Sequence, residues 1–286
     1  MQASSSRGAT LEAGSAASVA LQIDNVRKVY LGRSGAAVEA LAGISFDVKQ
    51  REVVAVVGPS GCGKSSLLRI LAGLDSQYDG RIAWNFERDD ASPRRLRSAT
   101  VFQSESVFPW MTVENNVLTG LAALEIEQAE KRARADKYLG LVGLLGFRKA
   151  YPHELSGGMR QRVAIARALA TEPLVLLMDE PLAALDAQTR LVMQQEILRI
   201  WRDTASTAVY ITHDIGEALS LANRVVVMTA RPGRVKAIID APKATGDDIL
   251  ELRNGREFAA SERAIWQMVA EEVGHRLGAG NDRRES

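Results

Sequence analysis

The chain has 286 residues, 46% hydrophobic and 25% charged, enough to bury a sizeable core in one or two domains. Its 36 basic and 35 acidic residues leave a net charge of +1, which excludes recognition of nucleic acid by bulk positive charge. The lone cysteine, Cys62, excludes an intrachain disulfide, and unbroken apolar runs such as Val53–Val57 and Leu174–Met178 fall far short of the ~20 residues of a membrane-spanning helix.

Met1–Ser18 is rich in Ser, Ala and Gly without the apolar stretch of a secretory signal, and reads as a disordered tail. Val19–Asn25 and Ile44–Val48 alternate apolar and polar residues, as half-buried strands do. Val53–Val57 is a β-branched run suited to a strand covered on both faces. A Gly-rich turn follows, and Lys64–Leu71 has helical spacing. Ala99–Gln103 reads as a short strand, and Thr112 to about Gly143 as a charged helical stretch. Then come a helix at Gly157–Ala170, an apolar strand at Leu174–Met178, a helix at Ala187–Trp201 and a strand at Thr207–Thr212. Asp214 and Glu217 are spaced as an N-cap pair for a further helix. Arg224–Met228 and Arg234–Ile239 complete the strands. This β/α alternation predicts an α/β fold with a mostly parallel sheet, interrupted after Gln103 by a helical insertion.

Gly58-Pro59-Ser60-Gly61-Cys62-Gly63-Lys64-Ser65 is a complete phosphate-loop motif between an apolar strand and a helix. The glycines let successive backbone N–H groups turn inward, and the helix N-terminus favours an anion. Lys64 suits the β- and γ-phosphates and Ser65 suits Mg²⁺; Ser66 continues the loop. Cys62 reads as a small loop residue whose alkylation should block nucleotide binding. The strand Leu174–Met178 delivers Asp179 and Glu180 at its C-terminal end, where ligands gather in open α/β sheets. Asp179 suits the metal shell and Glu180 a general base for water, the strand's alternation aiming them apart.

Leu155-Ser156-Gly157-Gly158-Met159-Arg160-Gln161 opens a helix with a good N-cap and two glycines, a second anion-binding helix end. This segment resembles the signature of the ABC ATPase family. The resemblance, over roughly Val19–Asp240, implies a P-loop NTPase core of RecA-like type with an antiparallel β subdomain and an inserted helical subdomain at about 104–160. It implies ATP and Mg²⁺ as ligands and a head-to-tail dimer in which each ATP lies between one P-loop and the partner's signature. Position by position it matches Tyr30 to the aromatic that stacks on adenine, and Gln103 to the glutamine that meets metal or water. Asp186 matches an interface aspartate, and His213 the histidine that contacts the γ-phosphate. Each has a plainer counterpart: a strand-edge tyrosine, a polar strand end, a helix N-cap and a structural histidine.

Phe108-Pro109-Trp110-Met111-Thr112-Val113 and Arg231-Pro232-Gly233-Arg234 look like the importer branch that serves nitrate, sulfonates and taurine. That likeness implies integral-membrane permease subunits, an external solute-binding protein and a peripheral place on the cytoplasmic face of the inner membrane. Trp110 reads equally as a core anchor of the helical lobe or as part of the permease-docking groove. Residues 241–286 read as a helical extension with Phe258, Ile265, Met268, Val269 and Val273 on one face and a disordered end from Gly278. Two rivals are a soluble mechanochemical ABC ATPase acting on nucleic acid or ribosomes, and a regulator that binds nucleotide without hydrolysis. The first wants a duplicated core or a long coiled coil, and the second is disfavoured by intact Glu180 and His213.

Overall fold

The computed structural model of the chain describes residues 18–32, 36–86, 95–103, 107–243 and 248–281. The tail expected at Met1–Ser18 lies outside them apart from its last residue. Strands β1 (Val19–Leu31) and β2 (Ala37–Lys49) pair antiparallel. Then β3 (Val53–Val57) runs through the glycine loop into α1 (Lys64–Leu71), and β4 (Asp79–Trp84) returns to the free edge of β1. The result is a three-stranded sheet in the order β2-β1-β4. The remaining strands, β5 (Ser98–Val101), β6 (Val175–Asp179), β7 (Ala208–Ile211), β8 (Arg224–Met228) and β9 (Val235–Asp240), join β3 in a second sheet. Its order is β5-β6-β7-β3-β8-β9, parallel except where β9 runs against β8.

Between β5 and β6 lie α2 (Val113–Gly120), α3 (Gln128–Leu141) and α4 (Gly157–Ala170). Helix α5 (Ala187–Thr204) joins β6 to β7 and α6 (Ile215–Leu221) joins β7 to β8. Two more helices, α7 (Ile249–Arg253) and α8 (Arg256–Asn281), follow β9. The α/β class, the antiparallel subdomain and the helical insertion all match the sequence expectation.

The parallel strands are apolar on both faces because both faces are covered. In β3, Val54 and Val56 pack with α1 and the antiparallel sheet, while Ala55 and Val57 pack with α6 and α8. In β6, Val175 and Leu177 face that first layer, while Leu176 and Met178 face the helical lobe. Strand β7 divides likewise, with Val209 and Ile211 opposite Ala208 and Tyr210. Each fully buried Leu, Ile or Val contributes roughly 1.5–3 kcal/mol.

Several boundaries differ from the sequence reading. The stretch Thr112–Gly143 is two helices, α2 ending at Gly120, where a Cβ would sit 2.7 Å from the Arg167 carbonyl of α4. Strand β1 continues six residues past Asn25 because a bulge there, with Asn25 at φ +48°, shifts the alternation rather than ending the strand. Helix α8 runs through Gly278 to Asn281, where disorder had been expected, and residues 282–286 lie outside the described set. Its Phe258 and Ile265 are buried, Met268 and Val269 pack beside them, and Val273 is exposed. Asp214 caps α6 by accepting from the Glu217 amide at 2.8 Å, but the Glu217 carboxylate does not return the bond. It takes the buried Tyr210 hydroxyl instead.

Candidate functional site

The C-terminal edge of the parallel sheet carries the loop after β3, the carboxylates at the end of β6 and the histidine after β7, the edge where open α/β sheets hold ligands. Two glycines of the loop sit at positive φ, Gly61 at +75° and Gly63 at +105°. A Cβ on Gly63 would lie 2.6 Å from Leu41 Cδ2 and 2.8 Å from the Ala40 carbonyl, so β2 is packed hard against the loop. The buried Lys64 ammonium donates to the Gly58 carbonyl at 2.8 Å and the Pro59 carbonyl at 3.2 Å. Ser60 is exposed at the turn. The Cys62 side chain is buried in the apolar layer under α1 with its Sγ 3.9 Å from Lys64 Nζ, and burial pushes its thiol pKa up. The expectation that alkylation blocks nucleotide binding therefore requires a reagent to reach the sulfur of a residue that is 1% exposed.

Ser65 Oγ donates to Asp179 Oδ1 at 3.4 Å. Burial raises the Asp179 pKa, the Glu180 charge adds to this, and the Ser65 hydrogen bond and Lys64 oppose it. Glu180 faces elsewhere: its Oε2 lies 2.8 Å from His213 Nδ1 and accepts from Gln103 Nε2 at 3.4 Å. Strand alternation alone does not separate the two acids. Asp179 is the last residue of β6, and Glu180 leaves it in the left-handed region at φ +45°, its amide still donating to the Ile211 carbonyl at 2.8 Å. Such a conformation costs a non-glycine residue of order 1–3 kcal/mol and is held by its surroundings. One carboxylate is thereby aimed at the loop serine, the other at an imidazole and an amide.

The donor set suits a hard, oxygen-loving ion. Ser65 and Asp179 supply one hydroxyl and one carboxylate, and among the described residues no group of three or more His, Cys, Asp or Glu forms a protein-only cage. Mg²⁺ is commonly held this way, by one or two protein oxygens with phosphates and water completing the shell. Gln103, matched to the glutamine that meets metal or water, donates its Nε2 to Glu180 Oε2 at 3.4 Å.

A cavity of about 260 Å³ opens beside the loop, lined among others by Tyr30, Gly61, Lys64, Ser65, Glu180 and Arg231. The Tyr30 hydroxyl is within hydrogen-bonding distance of Ser66 Oγ (3.2 Å) and Asp75 Oδ2 (3.3 Å). The residue is 37% exposed and has the Lys28 ammonium 4.8 Å from its ring centroid, so Tyr30 is a rim residue and not a core tyrosine. Arg231 was not foreseen as a site residue. Its partner Gly61 is 170 positions away, and no local pattern reveals that contact.

The signature residues lie apart from this cavity; Ser156, Gly157, Gly158, Gln161 and Asp186 are all absent from its lining. Ser156 is exposed and caps α4 through its Oγ, which accepts from the Met159 amide at 3.3 Å. Gly158 is buried where a Cβ would stand 3.0 Å from Thr189 Cγ2 of α5, and Gln161 is buried behind it. Asp186 caps α5, accepting from the Gln188 and Thr189 amides at 3.1 and 3.0 Å, and these bonds, led by Thr189, hold its carboxyl below the usual range. The N-terminus of α1 opens into the cavity, and that of α4 does not.

A parallel sheet ending in a glycine loop, a Lys-Ser pair and two divergent carboxylates defines a P-loop ATPase. Within that class the chain belongs to the ABC transporter family, whose model matches residues 41–183. It is 44% identical over 255 residues to an uncharacterized ABC transporter ATP-binding protein of Methanocaldococcus jannaschii, covering 89% of this chain and 93% of that one. Over 220 residues it is 43% identical to an aliphatic sulfonates import ATP-binding protein of Bacillus cereus, covering 77% of this chain and 85% of the relative. A taurine import ATP-binding protein of Rhizobium johnstonii is 48% identical over 220 residues, covering 77% and 83%. Among solved structures, a dimeric ATP-binding cassette in a post-hydrolysis state bound to ADP and Pi superposes with a TM-score of 0.64 at 30% identity. That match covers 78% of this chain and 100% of the other.

Proposed function

We propose that the chain hydrolyses Mg·ATP as a head-to-tail dimer and thereby drives import of a small anionic or zwitterionic solute of the sulfonate, taurine or nitrate type. The observation that carries the catalytic reading is Glu180, held by His213 and Gln103 beside a loop bearing Lys64 and Ser65. In this reading Glu180 takes a proton from the attacking water, and His213 orients the carboxylate and senses the terminal phosphate. Lys64 exchanges its two carbonyl partners for β- and γ-phosphate oxygens, a charge-assisted and stronger pairing. Ser65 and Asp179 would hold Mg²⁺, which when bound neutralises developing charge on the phosphates. Tyr30 stacks on the base.

The second helix end, which lies outside the cavity of its own molecule, supports the dimer. An exposed Ser156 at the N-terminus of α4, outside its own cavity, fits a triphosphate held in a second copy. The dimeric cassette of similar fold supports that arrangement. Among the described residues no helix is long and apolar enough to cross a membrane, so translocation needs separate permease subunits, with this chain peripheral to them. Trp110, 69% exposed with its ring 5.5 Å from Phe108, is no core anchor and suits a docking surface for that partner. The import-type relatives support the solute class, which an external binding protein would select.

The test is phosphate release by the purified chain. Mg-dependent turnover is expected, falling roughly 10²–10⁴-fold in Glu180→Gln and strongly in His213→Ala while ATP is still bound. Turnover unaffected by Glu180→Gln would refute the assignment.

A further inference from the structure

We propose that Arg231 is a further nucleotide-binding residue whose guanidinium takes the phosphate chain of ATP; the inference rests on the ATPase reading above. Arg231 lines the same cavity as Lys64, Ser65 and Tyr30. Its Nε donates to the Gly61 carbonyl at 3.3 Å, which ties one edge of the fork to the phosphate loop. Among the described residues it forms no ion pair with a carboxylate, although it is exposed at the cavity wall. Among the described residues the one carboxylate in that wall, Glu180, is already engaged by His213 and Gln103. An anion entering between Lys64 and Arg231 meets two cations, and a planar guanidinium can give a phosphate two parallel N–H bonds.

The segment that carries Arg231 is fixed before any ligand arrives. The Gly233 amide donates to the Ala40 carbonyl at 3.0 Å, and the Ala42 amide to the Gly233 carbonyl at 2.9 Å. Gly233 runs so close to the loop that a Cβ there would fall 2.1 Å from the Cys62 carbonyl. From the other side, Glu272 of α8 accepts from the Ala230 amide at 3.0 Å while also pairing with Lys236 at 2.8 Å. The turn is thus clamped between β2, the phosphate loop and the C-terminal helix. A cation held in place loses little conformational freedom when it binds, which favours affinity.

The experiment is titration of a fluorescent ATP analogue into wild type, Arg231→Ala, Arg231→Lys and Arg231→Glu, with the urea midpoint of each recorded. One charge-assisted hydrogen bond lost corresponds to about 10–100-fold in Kd. The expected order is wild type tightest, then lysine, alanine and glutamate, with alanine weaker than wild type by that factor and urea midpoints alike. Alanine within twofold of wild type would overturn the proposal. So would equal losses in the lysine, alanine and glutamate variants, which would mean that the turn and not the charge matters. Failure of the wild type itself to bind the analogue would overturn the ATPase reading, a different result from a normal wild type beside an indifferent Arg231→Ala.

Discussion

Replacing Glu217 by glutamine should stabilise the protein at alkaline pH and have little such effect in acid. Glu217 is 3% exposed, receives the Tyr210 hydroxyl, and faces Asp214, Arg190 and His213. Burial raises its pKa from 4.5 to about 7, and the Asp214 charge adds to this; the Tyr210 hydrogen bond, Arg190 and His213 oppose it. A carboxyl that binds its proton more tightly when folded adds stability fully below pH 4.5, and that contribution is lost as pH rises through about 7. Each pKa unit is 1.36 kcal/mol, so the whole span is at most roughly 3 kcal/mol. Glutamine keeps the acceptor for Tyr210 and never ionises. The stability difference, variant minus wild type, should therefore grow by about 1–3 kcal/mol between pH 5 and pH 8.5. At about 2–4 °C per kcal/mol for a chain of this size, that is about 2–12 °C in Tm. Thermal and urea unfolding at both pH values measure it directly, and the subtraction cancels every other titrating group. A difference that is flat across this range, or that shrinks, would refute the reasoning.

Gly63→Ala should lower stability by at least ~2 kcal/mol in urea and abolish ATP binding, because φ +105° and contacts of 2.6 and 2.8 Å leave no room for a methyl. Cys62 should react with an alkylating reagent at pH 8 at least ~10-fold more slowly in the native protein than in urea, since burial hides the sulfur and raises its pKa. Ile265→Ala should cost roughly 2–5 kcal/mol in urea unfolding, as its fully buried side chain joins α8 to the sheet through Val225 and Val227.

The loop Gly58–Ser65, the Asp179–Glu180 pair and the signature at Ser156–Gln161 were legible because each is a contiguous motif set against a strongly apolar strand or a helix start. The central strands β3 and β6 were legible for the same reason: both faces are buried, so the sequence is apolar throughout. Strand β4 escaped notice because Asp79-Gly80-Arg81 carries no apolar period, Gly80 being there for a close approach in which a Cβ would lie 2.4 Å from the Asn25 carbonyl. The Glu217–Tyr210 contact was hidden because a capping-box spacing is satisfied equally well by a carboxylate that turns into the core. The aim of Glu180 depends on one backbone torsion, and the place of Arg231 on a contact between the two ends of the nucleotide fold, neither of which periodicity encodes. Trp110 shows the same limit from the surface side, since an aromatic beside a helix start reads alike whether it is anchored or exposed.

The claim on which the account turns is that ATP joins two copies of this chain, each giving a phosphate loop to one nucleotide and the Ser156 helix end to the other. Light scattering of Glu180→Gln after size exclusion, with and without saturating Mg·ATP, tests it most directly. The account predicts a particle of twice the 31.0 kDa chain mass when nucleotide is present and a monomer when it is absent. A monomer that binds ATP fully and stays single would contradict it.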